Sequence, residues 1–168
     1  MRHIQSFPPI ERADARILIL GSMPGEASLR AGQYYAHPRN LFWCIMGELL
    51  GFDPASPYKQ RTEALKSAHI ALWDVLHSCR RKGSLDSSID NGSLAPNDLA
   101  TFLLRHPAIT QVFFNGSKAE ECYRKHVRPV SRTIKYLRLP STSPANASIS
   151  RERKIEAWRA VTRCVSTT

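Results

Sequence analysis

Residues 16–43, RILILGSMPGEASLRAGQYYAHPRNLFW, decide the fold of this chain. Ile17–Leu20 is a short apolar run that predicts a buried β-strand, and Gly21 stops it. The following residues up to Trp43 combine glycines, prolines and adjacent tyrosines, so that the backbone can approach a ligand closely and flat rings can stack on it. A flat, uncharged ligand with polar edges, such as a nucleobase, fits this composition. A long ordered loop whose aromatic side chains only pack is the alternative.

Further apolar runs alternate with helical patterns along the rest of the chain. The predicted strands are Arg16–Leu20, His69–Leu76, Thr110–Phe114 and Thr133–Leu139. The predicted helices are Leu41–Leu50, Tyr58–Ala68, Asn97–Arg105, Ser117–Val127 and Ser150–Cys164. The expected helix caps are Asn40, Asn97, Ser117 (in a capping box with Glu120) and Ser150. Residues 77–96 are predicted to form a polar loop.

The order β-α-α-β-α-β-α-β-α indicates an α/β fold in which helices cover both faces of a parallel sheet. We therefore expect a single three-layer α/β/α domain over residues 1–168, with a four-stranded, mainly parallel sheet. The length of 168 residues suits one domain with a proper core.

The charge of the chain indicates a polyanionic partner. The net charge is +10, and 12 Lys/Arg against 4 Asp/Glu between Lys118 and Arg163 supply most of it. This basic C-terminal third could line a surface that faces phosphates. The alternative is a solvated basic face that only aids solubility.

Several classes of protein are disfavoured by the composition. The sequence has no apolar run long enough to span a membrane and no signal-peptide core at its start, which predicts a cytoplasmic location. The cysteines Cys44, Cys79, Cys122 and Cys164 are dispersed, which favours reduced thiols over a zinc or iron–sulfur site. The sequence also lacks the P-loop, the GxGxxG fingerprint, HExxH and GxSxG.

The candidate site lies where the predicted strands end, because ligands of parallel α/β sheets bind beyond the carboxyl ends of the strands. The segments concerned are 21–40, 77–96, 115–118 and 140–149. Asp74 lies near the end of the second strand, and Ser84-Leu85-Asp86 follows it. Asn115 lies at the tip of the third strand. The segment after the fourth strand is rich in hydroxyl groups that suit phosphate contact.

Three motifs resemble those of the uracil-DNA glycosylase superfamily. They are GSMPG at Gly21–Gly25, HPRNLFW at His37–Trp43 and LPSTSPAN at Leu139–Asn146, and the resemblance extends over most of the chain. The hypoxanthine-DNA glycosylase family is the branch that the motifs resemble most. The resemblance implies an enzyme that flips a damaged base out of double-stranded DNA and hydrolyses its N-glycosidic bond. It implies neither a cofactor nor a metal.

The resemblance also assigns roles to residues. Gly21–Gly25 would form the pocket floor, Asn40 would be catalytic, Phe42 would stack on the base and Asn115 would read the base edge. The residues predicted to contact the base, with Tyr34 added as a pocket wall, are Gly21, Ser22, Met23, Gly25, Tyr34, Phe42 and Asn115. The residues predicted to contact the DNA backbone or wedge the duplex are Ser141, Thr142, Ser143, Pro144, Ala145 and Asn146. Lys118, at a helix start, is predicted to bind phosphate, and we expect no lyase activity from it.

Structural roles compete with several of these assignments. Asn40 could be a helix cap as well as a catalytic group, and Phe42 could belong to the core. Asn115 could serve a turn, and Tyr34 and Tyr35 could pack outside the pocket. Asp74 is predicted to act as a general base on water, or else to anchor loop backbone.

One departure from the family pattern determines the expected substrate. Related enzymes carry a catalytic asparagine or aspartate within the first loop, where this chain has Ser22 and Met23. The catalytic group must then come from elsewhere, and Asn40 is the candidate. We therefore expect a monofunctional, monomeric glycosylase for hypoxanthine (deoxyinosine), associated with the nucleoid in the cytoplasm. The alternatives are a uracil or mismatch-specific (G:U/G:T) glycosylase and a non-catalytic nucleic-acid-binding domain.

Overall fold

The computed structural model describes residues 1–166. Its strands, in chain order, are β1 (Arg2–Gln5), β2 (Ile17–Gly21), β3 (Ile70–Asp74), β4 (Leu76–Arg81), β5 (Ala95–Pro96), β6 (Gln111–Asn115) and β7 (Lys135–Leu139). Its α-helices are α1 (Glu26–Ala31), α2 (Phe42–Leu50), α3 (Tyr58–Ser67), α4 (Leu99–Arg105), α5 (Ser117–His126) and α6 (Arg151–Ser166). All the predicted strands and helices are present, with ends within about two residues of their expected bounds.

A four-stranded parallel sheet in the order β3-β2-β6-β7 lies at the centre of the fold. The last residues of the strands pair across the sheet, Gly21 with Asp74 and Asn115 with Leu139. The predicted fold class is confirmed. The parallel arrangement therefore brings four strand tips into one row at the carboxyl edge.

Hydrophobic clusters cover both faces of this sheet. Successive residues of β2 alternate between them, with Leu18 and Leu20 in one cluster and Ile17 and Ile19 in the other. The first cluster includes residues of α4 and α5, and the second includes residues of α2 and α6. Burial on both faces explains why this strand is a continuous apolar run in the sequence.

A second sheet, antiparallel and in the order β1-β4-β5, was not predicted. The prediction of a polar loop over residues 77–96 is wrong for its first part, because β4 starts at Leu76 and pairs with β1, placing Ile4 opposite Cys79. The predicted strand His69–Leu76 is thereby divided at Val75. In β4 the polar residues His77 and Arg80 are exposed while Ser78 and Arg81 are buried, so the strand lacks the regular alternation by which it could have been predicted.

The helix caps differ in part from their predictions. Ser150 caps α6 as expected, since its Oγ accepts the Arg153 N–H at 3.3 Å. Asp98 rather than Asn97 caps α4, accepting the Thr101 N–H at 3.1 Å. The expected capping box of α5 is wrong: the helix follows Gly116, whose φ is +95°, without a side-chain cap. The short helix α1 lies inside the first motif-bearing segment, where no helix was expected.

The four cysteines are free thiols. Among the described residues, none of the helices has the length and apolar character that crossing a membrane requires. Within residues 1–166 we also find no group of three or more His, Cys, Asp or Glu side chains placed to hold a metal ion.

Candidate active site

A cleft of about 770 Å³ lies at the carboxyl edge of the parallel sheet. Fourteen of the sixteen predicted site residues line it: Gly21, Ser22, Met23, Gly25, Tyr34, Asn40, Asp74, Asn115, Ser141, Thr142, Ser143, Pro144, Ala145 and Asn146. Phe42 and Lys118 do not line it. All four of the segments expected from the strand ends therefore contribute to one cavity.

Gly21 lines the cleft at a point that two side chains approach closely. A Cβ atom at this position would lie 2.6 Å from Asp74 Oδ1 and 2.7 Å from Tyr35 Oη. Both distances are shorter than side chains tolerate. The absence of a side chain at Gly21 thus allows a carboxylate and a phenol to approach the same strand tip.

Asp74 is a buried carboxyl group with few partners. Its Oδ2 accepts a hydrogen bond from Ser6 Oγ at 2.7 Å. Burial raises the pKa of Asp74 to about 7, and the negative charge of Asp86 acts in the same direction. The alternative role as an anchor for loop backbone is not supported, because no backbone donor within residues 1–166 is bonded to this carboxyl group.

Asp86 is a cleft residue to which sequence analysis gave no role. Its Oδ1 accepts a 2.6 Å hydrogen bond from Ser22 Oγ. Crowding by protein atoms raises the pKa of Asp86, although the residue is exposed at the cleft mouth, where water moderates the effect. Its place in the Ser84-Leu85-Asp86 segment after a predicted strand was the available signal.

Arg81 connects this segment to the first motif. Its side chain is only 2% exposed, and it donates hydrogen bonds from Nε to the Gly83 carbonyl and from Nη2 to the Pro24 carbonyl. Two loops from different strands are therefore held together beneath the cleft mouth.

Tyr35 lines the cleft, whereas Phe42, which was expected to stack on the base, does not. The Phe42 side chain is 0% exposed and lies behind Tyr35, with the ring centroids 4.3 Å apart. Phe42 also packs edge-on against Trp43 and Trp158. Since Phe42 belongs to the core, it is not placed to stack directly on a base, and Tyr35 is the ring that faces the cavity.

The Tyr35 backbone and hydroxyl are both unusual. Its φ is +54°, which is uncommon for a large side chain. Its hydroxyl is buried and makes no well-formed hydrogen bond among the described residues, although the Asn115 side chain lies beside it and opposes the rise of its pKa. Burial and the nearby Asp74 charge raise the pKa of Tyr35, so the phenol stays protonated.

Tyr34 lines the cleft but directs its polar groups into the fold. Its hydroxyl donates to the Pro8 carbonyl at 3.0 Å, and its carbonyl accepts from Trp43 Nε1 at 2.8 Å. These bonds give Tyr34 a structural role at the cleft wall.

Asn40 lines the cleft and binds the first backbone N–H of α2, although Leu41 stands at the N-cap position of this helix. Its Oδ1 accepts the Phe42 N–H at 2.9 Å at the start of α2. In the described part of the chain, its Nδ2 makes no hydrogen bond and is available to a ligand. The bond to Phe42 and the predicted catalytic role are therefore compatible.

Asn115 is held by Thr142 through two hydrogen bonds. Asn115 Nδ2 donates to Thr142 Oγ1 at 3.0 Å, and Thr142 N donates to Asn115 Oδ1 at 2.9 Å. Because a backbone N–H can only donate, the orientation of the amide is fixed. One Nδ2 proton and one Oδ1 lone pair remain free, and they point to opposite sides of the amide because Thr142 occupies the edge between the two atoms.

The segment 141–146 forms a prefolded rim. Ser143 N–H donates to Ser141 Oγ at 3.2 Å, and Asn146 Nδ2 donates to the Ser141 carbonyl at 3.1 Å. Arg138 and Arg153 line the same part of the cleft. Lys118 lies away from it, with its Nζ 2.9 Å from Asn91 Oδ1, so its contact with DNA phosphate stays a prediction.

Comparisons with known proteins agree with the motifs. A family model described as the uracil DNA glycosylase superfamily matches residues 8–162. The hypoxanthine DNA glycosylase of Methanosarcina barkeri is 39% identical over 151 residues, which are 89% of this chain and 92% of that protein. The hypoxanthine DNA glycosylase of Methanosarcina acetivorans is 37% identical over 160 residues, covering 95% and 98%.

A solved structure has a similar fold. It is a solution NMR structure of a candidate uracil DNA glycosylase from Methanosarcina acetivorans, which is 34% identical in sequence. The TM-score is 0.79, with 98% of this chain and 99% of that chain covered.

Proposed function

Because the chain belongs to the uracil DNA glycosylase superfamily, we propose that it is a monofunctional glycosylase that removes hypoxanthine from double-stranded DNA. One observation carries the proposal: Asn40, Asp74, Tyr35 and Asn115 surround one cavity at the ends of the parallel strands. The cavity volume of about 770 Å³ lies in the range of small-molecule sites and suits a flipped nucleotide. A monomer acting on nucleoid DNA in the cytoplasm is part of this proposal.

The fixed amide of Asn115 supports selection of deaminated bases. Hypoxanthine and uracil share a lactam edge with an N–H donor next to a carbonyl acceptor, whereas adenine presents the reverse order. Of the groups that Thr142 leaves free, the Nδ2 proton suits the carbonyl oxygen of the lactam edge, where adenine presents an amino donor instead. Since Thr142 prevents the amide from turning, the reverse order is disfavoured once the sugar fixes the base.

The other cleft residues are assigned to the hydrolysis of the N-glycosidic bond. The sugar becomes oxocarbenium-like as the bond breaks, so a positioned water and stabilisation of the departing base suffice. Asn40 orients the water, and Asp74, with a pKa of about 7, accepts its proton. Tyr35 holds the plane of the base by stacking.

The test is excision from labelled duplexes that each carry hypoxanthine, uracil, xanthine or adenine at one position, followed by alkali cleavage of abasic sites. We expect strong cutting at hypoxanthine, less at uracil and none at adenine. Equal or greater cutting at uracil would instead favour a uracil or mismatch-specific enzyme. Cutting at none of these bases would contradict the proposal.

A further inference from the structure

Leu85 is an exposed apolar side chain at the mouth of the cleft. Four large apolar residues are exposed in the described part of the chain: Met1, Leu85, Leu104 and Leu137. Of these, Leu85 alone lines the cleft, and it is 51% exposed. Single exposed leucines are ordinary on protein surfaces, so its meaning depends on how it is held.

Both neighbours of Leu85 are bonded to the segment 22–26, which contains most of the first motif and the residue that follows it. Ser84 Oγ accepts the Glu26 N–H at 2.9 Å, and Asp86 Oδ1 accepts the Ser22 hydroxyl at 2.6 Å. The residue before Ser84 is held as well, since Arg81 Nε donates to the Gly83 carbonyl at 2.8 Å. Leu85 thus lies on a short segment that is anchored on both sides and cannot collapse onto the core.

The opposite edge of the sheet offers no comparable side chain. The segment 141–146 reaches the cleft from the edge strand β7 and contains only Ser, Thr, Pro, Ala and Asn. The next large apolar residue is Ile149, which lines the cleft but is half-buried. The rim that was expected to wedge the duplex therefore lacks a bulky exposed apolar group.

The charged residues on the two sides of the cleft suit different parts of a DNA duplex. Arg138 and Arg153 lie on the side of segment 141–146 and suit phosphates. Glu26 and Asp86 flank Leu85 and disfavour phosphates there. The side of the cleft that carries Leu85 therefore suits the uncharged base stack of the duplex rather than its phosphates.

We propose that Leu85 enters the base stack of duplex DNA and fills the space that the flipped base leaves. This inference rests on the proposed function. Extruding a base costs a few kcal/mol of lost stacking, and an inserted apolar side chain offsets part of that cost. In a single strand the vacated space is not enclosed, so the same side chain contributes little.

The test compares Leu85→Ala with wild type in single-turnover excision of hypoxanthine from a duplex and from the same single strand. We expect duplex excision to fall about tenfold or more, while single-strand excision changes by less than about threefold. Leu85→Met should restore most of the duplex rate. Leu104→Ala, a 65% exposed leucine outside the cleft, is the matched control and should match wild type on both substrates.

Three outcomes of the excision assays would overturn the proposed insertion of Leu85. They are an equal loss on both substrates, an unchanged duplex rate, and a duplex-specific loss in Ile149→Ala that is absent in Leu85→Ala. A 2-aminopurine placed beside the hypoxanthine reports unstacking without any bond cleavage, and we expect a smaller fluorescence rise with Leu85→Ala. If wild type fails to excise hypoxanthine from either substrate, the proposed function fails. The proposed insertion of Leu85 is contradicted if wild type and Leu85→Ala give the same 2-aminopurine signal.

Discussion

Asn40 and Phe42 are joined by a 2.9 Å hydrogen bond from the Phe42 backbone N–H to the Asn40 side-chain oxygen. The bond orients one amide for two tasks, since it satisfies the start of helix α2 and fixes the group that faces the cleft. A substitution at Asn40 therefore affects stability and excision through different atoms.

Asn40→Ala should lose both functions of the amide. We expect about 1 kcal/mol less free energy of unfolding from the lost hydrogen bond to α2 and a fall of about 100-fold or more in single-turnover excision. Asn40→Ser keeps a side-chain oxygen for that bond and should recover the stability but not the excision. Urea unfolding, excision rates and DNA affinity separate the two effects. Full excision in Asn40→Ser would contradict the catalytic assignment.

The pKa of Asp74 predicts how stability depends on pH. Burial raises this pKa from 3.8 to about 7, so the folded protein binds the proton more tightly than the unfolded chain does. The Asp74 contribution to the free energy of unfolding should therefore be present below about pH 4 and be lost as pH rises to about 7. Asp74→Asn should remove this part of the slope, which unfolding curves between pH 4 and 8 will measure. Asp53→Asn, at an exposed aspartate, should leave the slope unchanged.

The same group should control the pH dependence of excision. As a general base, Asp74 must be ionised, so the wild-type rate should rise as pH passes through about 7. In Asp74→Asn the rate should be low and flat over this range. A wild-type rate that decreases through the same range would exclude the role as a base.

Gly21 and Gly25 form a matched pair for testing the cleft floor. A Cβ at Gly21 would meet Asp74 and Tyr35 at 2.6 and 2.7 Å, whereas at Gly25 the nearest atoms, on Ser84, lie 3.5 Å away. Gly21→Ala should lower the free energy of unfolding by about 1–3 kcal/mol and abolish most excision. Gly25→Ala should be nearly neutral in the free energy of unfolding. Similar behaviour of the two variants would show that the close approach at Gly21 is not critical.

Two substitutions at Tyr35 test the roles of its ring and of its hydroxyl separately. The hydroxyl is buried and makes no well-formed hydrogen bond within residues 1–166, so Tyr35→Phe should be as stable as wild type or more stable by about 1 kcal/mol. Because the ring is retained, excision should stay within about threefold of wild type. Tyr35→Ala should lose most excision. Thermal melts and excision rates test both statements, and a large loss of activity in Tyr35→Phe would instead assign a direct role to the hydroxyl.

The sequence predicts the central sheet because local patterns determine it. Strand β2 is apolar throughout, and both of its faces are covered, so no partner needed to be known in advance. The second sheet depends on pairing Ile4 with Cys79, which are far apart in the chain. No local pattern specifies that pairing, and the polar residues of β4 do not alternate regularly with apolar ones, so the segment resembles a loop.

The candidate site likewise contains residues that the sequence predicts and residues that it does not. Asp74 and Asn115 were found because parallel strands bring their carboxyl ends together. Asp86 was given no role because its bond to Ser22 joins residues that are distant in sequence. A further gap concerns Phe42, which was expected to contact the base but belongs to the core, whereas Tyr35 lines the cleft. Tyr35 and Phe42 are close in sequence, and the sequence alone does not show which ring faces the core. The start of helix α2 at Phe42 decides this.

The first ten residues of the chain support the site through strand pairing and hydrogen bonds. This affects how the protein should be prepared. Strand β1 pairs with β4, Ser6 bonds the Asp74 carboxyl group, and the Pro8 carbonyl accepts the Tyr34 hydroxyl. Trimming the chain before Phe7 would expose the edge of β4 and change the environment of Asp74, although none of the removed residues lines the cleft. An affinity tag is therefore better placed away from the amino terminus.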